Sequence, residues 1–146
     1  MKTLITLAAA SVLALAACGA ATAATAATAA TAATAGGTIN VTDTDTTVTV
    51  DKKSIKAGAV TFVLKNVGTV THELVVIKTD VAQDKMAANP DEAGKVTEVG
   101  SQGESGDVEK GITKSFTLDL TPGNYVLMCN EVGHYGMGMH IAFVVD

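Results

Sequence analysis

Apolar and polar residues alternate along most of the chain beyond residue 38, as they do in half-buried β-strands. The clearest alternating sets, each on one face of a strand, are Val60, Phe62 and Leu64; Phe116, Leu118 and Leu120; Tyr125, Leu127 and Cys129; and Ile141, Phe143 and Val145. Turn signals such as Asn66-Val67-Gly68 and Thr121-Pro122-Gly123-Asn124 separate these sets. About six to eight short strands of this kind predict an all-β fold, an antiparallel Greek-key β-sandwich.

Residues 80–110 interrupt the alternation. They contain Pro90, several glycines and many charged side chains. Residues 84–88 are expected to form one helical turn, and residues 89–107 a long exposed loop. The sandwich is therefore expected to carry a short helix or a long loop as an insertion around residues 80–110.

The first residues read as a targeting segment. An uncharged, mostly apolar run of fourteen residues, Leu4 to Ala17, follows the positive Lys2. This length suits a signal peptide over residues 1–17 and is too short to cross a bilayer as a helix. The sequence Leu15-Ala16-Ala17-Cys18 resembles a bacterial lipobox, which implies that Cys18 is lipidated and becomes the mature N-terminus. Ordinary cleavage after a small residue is the alternative.

Residues 18–37 have the composition of a tether. Threonine recurs at every third position from Thr22 to Thr34, with alanine between, and the segment carries no charge. Such a segment buries too little apolar surface to offset the entropy of ordering it. Residues 38–146 then remain as one folded domain, of a length typical for a single sandwich with one core.

The charge pattern narrows the classes of partner. Lysine supplies all ten basic residues, against 15 acidic ones, and the net charge is −5. A chain without arginine and with an acidic balance is a poor candidate for nucleic-acid binding, which depends on basic clusters.

The candidate chemistry lies in the segment from Cys129 to His140. If Cys18 is lipidated or removed, Cys129 has no disulfide partner, and a lone thiol in an oxidising compartment needs an occupant. Cys129, His134 and Met139 combine a thiol, an imidazole and a thioether, and His72 offers a second imidazole. One cysteine, two histidines and a weak methionine are the ligands of blue-copper sites. A zinc or other redox-inert site on the cysteine and all three histidines is an alternative.

At these residues the chain resembles the cupredoxin family, the blue (type 1) copper proteins. The resemblance covers residues 38–146 and rests on three segments. They are Ala57-Gly58-Ala59-Val60-Thr61-Phe62 leading to Asn66-Val67-Gly68, then Thr71-His72-Glu73-Leu74, and finally Pro122-Gly123-Asn124-Tyr125 leading to Cys129-x4-His134-x4-Met139. The spacing of the last segment is more similar to rusticyanin and sulfocyanin-type domains than to plastocyanin.

The resemblance implies a ligand set for one copper ion that cycles between Cu(I) and Cu(II). Cys129 would be the thiolate, His72 and His134 the imidazoles, and Met139 the axial thioether. Met137 competes with Met139 for the axial position and is expected in the apolar surface around the site instead.

Three neighbouring residues carry further expectations. His140 is expected to be a surface residue, with an auxiliary metal role as the minority interpretation. Glu73 stands where many family members carry an asparagine or serine that ties the two ligand loops together. That tie is expected to be absent or to be replaced through Asn130.

These features predict a one-electron carrier, not an enzyme, which docks briefly with redox partner proteins. The predicted docking surface is Gly133, Tyr135, Gly136 and Met137, and the acidic balance favours a basic partner. The chain is expected to be monomeric, extracytoplasmic, and lipid-anchored to a bacterial membrane on its periplasmic side or at the cell surface. A copper-binding protein for delivery or resistance, without redox cycling, is the alternative. The three histidines, with no His-x-His pair, are too few for a multicopper enzyme centre.

Overall fold

The computed structural model describes residues 36–146, which form nine β-strands in two sheets. The all-β sandwich is thereby confirmed, with more strands than the six to eight expected. The strands are β1 (Gly37–Asp43), β2 (Val48–Val50), β3 (Ser54–Ile55), β4 (Gly58–Asn66), β5 (Val75–Lys78), β6 (Ser101–Glu104), β7 (Thr113–Leu120), β8 (Gly123–Met128) and β9 (His140–Val145). The predicted signal peptide, Cys18 and nearly all of the tether lie outside the described residues.

The strand order shows a chain that passes repeatedly between the two sheets. One sheet has the order β2-β1-β4-β7, and the other β3-β9-β8-β5-β6. Most neighbours are antiparallel, as predicted, but β1 pairs with β4 and β3 pairs with β9 in parallel. The parallel pairs arise because the chain leaves the first sheet after β2, adds β3 to the second, and returns as β4.

Side chains from both sheets fill the core between them. The inward faces of β4 and β8 are buried as the alternation predicts, and Phe62 lies 5.4 Å from Phe116 and 6.1 Å from Phe143 between ring centroids. The opposite face of β8 is buried as well. Val126 and Met128 pack there with Val75, Ile77 and Val96 in a second, smaller cluster.

Residues 79–100, which we call the strap, explain this second cluster. Most of its residues are exposed, as expected for a long loop, but Val96 is buried and the strap leads into β6, which pairs with β5. The helical turn expected at residues 84–88 is absent. Only one turn bond forms nearby, from the Lys85 N–H to the Ala82 carbonyl.

Among residues 36–146, the single helix is a short 3-10 turn at Tyr135–Met137. None of the described helical segments is long and apolar enough to span a membrane.

The register of the second sheet brings distant residues to one end of the sandwich. Val75 at the start of β5 pairs with Met128 at the end of β8, and Met128 pairs with His140 at the start of β9. The residues just before β5, just after β8 and just before β9 therefore meet at that end. They include His72, Cys129 and Met139.

Candidate metal centre

Three side chains predicted as ligands converge at this end of the sandwich. The His72 and His134 Nδ1 atoms are 3.2 Å apart. The Cys129 Sγ lies 3.3 Å from the His134 Nδ1 and 3.7 Å from the His72 Nδ1. The arrangement is a compact triangle of one sulfur and two nitrogens.

The triangle has the dimensions that a single metal ion requires. Bonds of about 2.0–2.3 Å, the range that zinc shows with imidazole and thiolate, place the ligands of a trigonal ion about 3.5 Å apart. The observed separations of 3.2–3.7 Å bracket this value. The mixture of soft sulfur and imidazole favours copper over hard cations.

Cys129 follows β8 directly and is completely buried. Its Sγ accepts a hydrogen bond from the Glu73 N–H at 3.4 Å, and its own N–H donates to the Met139 carbonyl at 3.0 Å. Burial raises the pKa of the Cys129 thiol to about 12. The thiol is therefore protonated without a metal, and a metal must displace that proton to bind the thiolate.

His134 lies in a loop that folds on itself, residues 129–139, which we call the ligand loop. Its N–H donates to the Glu131 carbonyl at 2.9 Å, and its carbonyl accepts from the Met139 N–H at 3.2 Å. Burial, and after it the neighbouring His72, lowers the pKa of His134. Both effects favour the neutral imidazole, which is the form that binds metals.

The two methionines of the ligand loop differ in burial. Met139 is completely buried and belongs to the same core cluster as Cys129. Met137 is 52% exposed, on the short 3-10 turn. Met139 therefore lies in the core beside Cys129, whereas Met137 is open to solvent.

His72 is held from its outer side by an acidic residue that the sequence analysis did not single out. Its Nε2 lies 3.4 Å from the Asp45 Oδ1, while its Nδ1 faces the triangle. Asp45 in turn accepts hydrogen bonds from the Thr69 N–H and hydroxyl, which lower the pKa of Asp45 to about 2. Asp45 stands in a polar run between β1 and β2, and nothing in that run signals a contact with His72.

The segment that carries His72, residues 66–72, is called here the His72 loop. Its first residue, Asn66, is buried and donates from Nδ2 to the carbonyls of Val70 and Val108, both at 2.8 Å. Gly68 leaves the space in which Asp45 reaches His72. A Cβ on Gly68 would lie 2.7 Å from the His72 Nε2 and closer still to the Asp45 Oδ1.

Asn130 ties the ligand loop to the strap and not to the loop that carries His72. Its Nδ2 donates to the Val96 carbonyl and to the Glu98 carboxylate, and its Oδ1 accepts from the Val96 N–H. Asn130 therefore does not replace the tie between the two ligand loops, and of the two expectations the absence of a side-chain tie is the one that fits. Glu73 reaches the ligand loop through its backbone N–H, and Asn130 fastens that loop to the strap.

His140 is half-buried, which corrects the expectation of a surface residue. Its ring packs on the Tyr135 ring at 4.7 Å between centroids, and its Nδ1 is buried without a partner among the described residues. The group of metal-binding side chains at the site comprises His72, Cys129 and His134 and does not include His140. This grouping disfavours a zinc site built on all three histidines.

Comparisons with known proteins agree with this architecture. Residues 20–146 match the family model of the sulfocyanin (SoxE) domain. Reduced auracyanin from the photosynthetic bacterium Roseiflexus castenholzii is 24% identical, with a TM-score of 0.58 over 77% of this chain and 99% of that chain. Auracyanin A, a "blue" copper protein from Chloroflexus aurantiacus, is 24% identical, with a TM-score of 0.55 over 76% and 100% of the two chains.

Rusticyanin from Thiobacillus ferrooxidans is 18% identical, with a TM-score of 0.55 over 75% of this chain and 77% of that chain. At these identities the solved structures establish a shared fold. A search of curated proteins finds no match.

Proposed function

The chain belongs to the sulfocyanin domain family, and on that premise we propose that it is a type 1 copper protein that carries single electrons between partner proteins. The observation that carries this proposal is the triangle of the Cys129 Sγ and the two histidine Nδ1 atoms, with separations of 3.2–3.7 Å. His72, Cys129 and His134 would hold one copper ion, and Met139 would add a weak fourth ligand. Bound copper would supply the one-electron chemistry by alternating between Cu(I) and Cu(II).

The protein's own contribution is a frame that holds these side chains still. Cys129 extends from β8, Asp45 fixes the outer nitrogen of His72, and the backbone bonds of the ligand loop fix His134. A fixed arrangement of one thiolate and two imidazoles is intermediate between the ligand geometries that Cu(I) and Cu(II) favour. The ligands would therefore move little when an electron is transferred. Burial of Cys129, His72 and Met139 also keeps water away from the metal.

The exposure of the site supports electron entry beside His134. His134 is partly exposed, whereas the other three proposed ligands are completely buried. Gly136 and Met137 are exposed next to it, and Gly133 and Tyr135 are half-exposed. The Tyr135 hydroxyl is already engaged, since it donates to the Gln83 carbonyl. We assign the docking surface to these four residues, used by a monomer for brief contact with a basic partner.

Copper delivery without redox cycling is less well supported. A delivery protein must release its ion to a partner, which requires ligands that a partner can reach. Cys129, His72 and Met139 are each completely buried, and their release would require the core to open. The same burial disfavours an enzymatic role, because a substrate could not reach the metal.

We further propose that the protein works outside the cytoplasm and is held there by a lipid on Cys18. The lipobox-like sequence that follows the predicted signal peptide supports this proposal. Expression of Cys18→Ser in a bacterial host tests it. The variant should leave the membrane fraction, and a protein that stays membrane-bound would contradict the anchor.

Voltammetry of the copper-loaded protein tests the carrier function. A reversible one-electron wave is expected, and Met139→Gln should shift its potential because the axial ligand tunes it. The matched variant Met137→Gln should leave the potential nearly unchanged. A protein that holds only Cu(I) and shows no reversible wave would favour delivery over electron transfer.

A further inference from the structure

Three carboxylates meet beside the copper site, on the side of Glu73. One carboxylate oxygen from each of Glu73, Asp107 and Glu131 lies within 4.8 Å of the other two. The fold brings them together, because His72 and Val108 form an isolated antiparallel bridge that sets Glu73 next to Asp107. Glu131 joins them from the ligand loop, which Glu73 contacts through the hydrogen bond from its N–H to Cys129.

The Glu73 carboxylate has no protein partner among the described residues, although its side chain is largely buried. Glu73 is only 8% exposed, and no hydrogen bond or ion pair reaches its carboxylate from residues 36–146. Buried carboxylates are normally paired or coordinate a metal, since an unpaired buried charge is costly. Glu73 points into the cluster, which opens to solvent through the exposed Asp107 and the half-exposed Glu131.

Most of the charged groups around the cluster are negative. Glu98 and Glu104 add further negative charge to the surroundings of Glu73, and Lys95 is the cation that acts on it. The Lys95 ammonium lies 3.7 Å from Glu92 and forms its ion pair there. Burial first, and then Glu131 and Glu104, raise the pKa of Glu73 to about 7.

We propose that Glu73, Asp107 and Glu131 form a binding site for one calcium-sized divalent cation beside the copper centre. Calcium takes six to eight oxygen ligands at about 2.3–2.6 Å, so oxygens on opposite sides of the ion are about 4.8 Å apart. The spacing of the three carboxylates allows this arrangement, with water in the remaining positions. Magnesium demands near-ideal octahedral geometry and usually keeps several of its waters, so a site with three carboxylates favours calcium.

The site is placed to influence bound copper. Glu73 is adjacent to His72 and donates its N–H to the Cys129 sulfur, and Glu131 is two residues from Cys129. A cation there favours the more electron-rich copper state, so calcium raises the reduction potential. This consequence rests on the proposed copper function, whereas the cation site does not.

Calorimetric titration of the copper-free protein with calcium chloride tests the site, with magnesium chloride as comparison. One calcium per chain is expected, with a Kd of about 10⁻⁴–10⁻³ M and weaker magnesium binding. Glu131→Gln and Asp107→Asn should each weaken calcium binding about tenfold, because ligand charge sets affinity. The matched control Glu109→Gln removes the same charge on the far side of Val108, where Glu109 accepts from Thr71, and should bind calcium like the unaltered protein.

Several outcomes would overturn the proposal. These are the absence of saturable calcium binding, equal weakening by Glu109→Gln, or unchanged binding in both cluster variants whose circular dichroism shows the native fold. Voltammetry with and without calcium then tests the coupling: a higher potential in the unaltered protein but not in Glu131→Gln supports it, and no shift overturns it. A protein that binds calcium but forms no blue copper site would refute the proposed function and leave the cation site standing.

Discussion

The ligand loop is shaped by its own backbone bonds and fastened to the strap by Asn130, whereas the His72 loop is held mainly by residues far away in the chain. Bonds among Cys129, Glu131, His134 and Met139 close the ligand loop within eleven residues. The His72 loop instead depends on Asp45 from the β1–β2 connection and on the Val108 carbonyl. The His134 imidazole is thus positioned mainly by bonds within its own loop, and the His72 imidazole by contacts with distant parts of the chain.

This difference says where the site is vulnerable. Substitutions within the ligand loop should alter metal binding directly, because that loop carries three of the four proposed ligands. Changes around the His72 loop should act through the fold, either by loosening the sandwich or by releasing one imidazole. Four substitutions around the His72 loop separate these effects.

Asn66→Ala should have the largest effect on stability. It removes a partly buried bond to the Val70 carbonyl, a buried bond to the Val108 carbonyl and a buried bond from the Gly68 N–H. Leaving these groups unpaired should lower the free energy of unfolding by about 3–4 kcal/mol. Urea unfolding of the copper-free protein measures the loss. Asn124→Ala, which removes one exposed bond to Asp80, should cost less than about 1 kcal/mol, and an equal loss in both would contradict the account.

Asp43→Asn should stabilise the protein at high pH. Asp43 pairs with Asn66 between β1 and β4, is completely buried, and has no partner for either carboxylate oxygen among the described residues. Burial raises the pKa of Asp43 from 3.8 to about 7. The folded protein therefore holds this proton more tightly than the unfolded chain, and stability falls as the pH rises from about 4 to about 7.

Asparagine has no proton to lose, so the stability advantage of Asp43→Asn over the unaltered protein should grow by about 2–3 kcal/mol between pH 5 and pH 8. Unfolding at pH 5 and pH 8 measures the difference, and most of the gain should be absent at pH 5. The exposed Asp119→Asn serves as control and should leave the pH dependence unchanged. A gain of the same size at both pH values would argue against titration of Asp43.

Gly68→Ala should weaken copper binding with a smaller effect on folding. The new Cβ would occupy the space between Asp45 and His72, which forces the imidazole or its carboxylate partner to move. Loss of such an orienting contact costs about 10–100-fold in metal affinity, and we expect the upper end. Competition with a copper chelator measures it. Gly136→Ala has no atom within 4 Å of the new Cβ, and a comparable loss there would refute the steric explanation.

Asp45→Asn should have the smallest effect. The amide keeps the shape of the carboxylate but removes the charge beside the His72 Nε2, so copper affinity should fall about tenfold. If the loss falls on Cu(II) alone, the reduction potential rises by about 59 mV. Asp51→Asn removes a charge bound instead to Asn40, and a similar rise there would show a general charge effect.

The ligand loop could be recognised from the sequence because its metal-binding residue types lie close together in the chain. The alternation of Tyr125, Leu127 and Cys129 fixes which face the thiol takes, and short spacings place His134 and Met139 after it. The sandwich was predictable for the same reason, since alternation along each strand reports its own burial. The two parallel pairings were not, because strand order depends on which sheet the chain enters next.

The support of His72 could not be predicted from the sequence. Asp45, Gly68 and Asn66 are ordinary loop residues until the fold brings them to the imidazole. The burial of Val96 within the strap was missed for a related reason. The charged, glycine-containing composition of the strap indicates exposure. Yet two hydrogen bonds join the Val96 backbone to the Asn130 side chain, and the Val96 side chain packs in the smaller cluster.

The visible absorption spectrum during copper(II) titration, recorded for the protein and for Cys129→Ser, tests the central claim most directly. An intense thiolate-to-copper band is expected, saturating at one copper per chain. The band should disappear in Cys129→Ser while circular dichroism shows that the fold is intact. A colourless copper complex, or a band that survives in Cys129→Ser, would contradict the assignment of this triangle as a type 1 copper site.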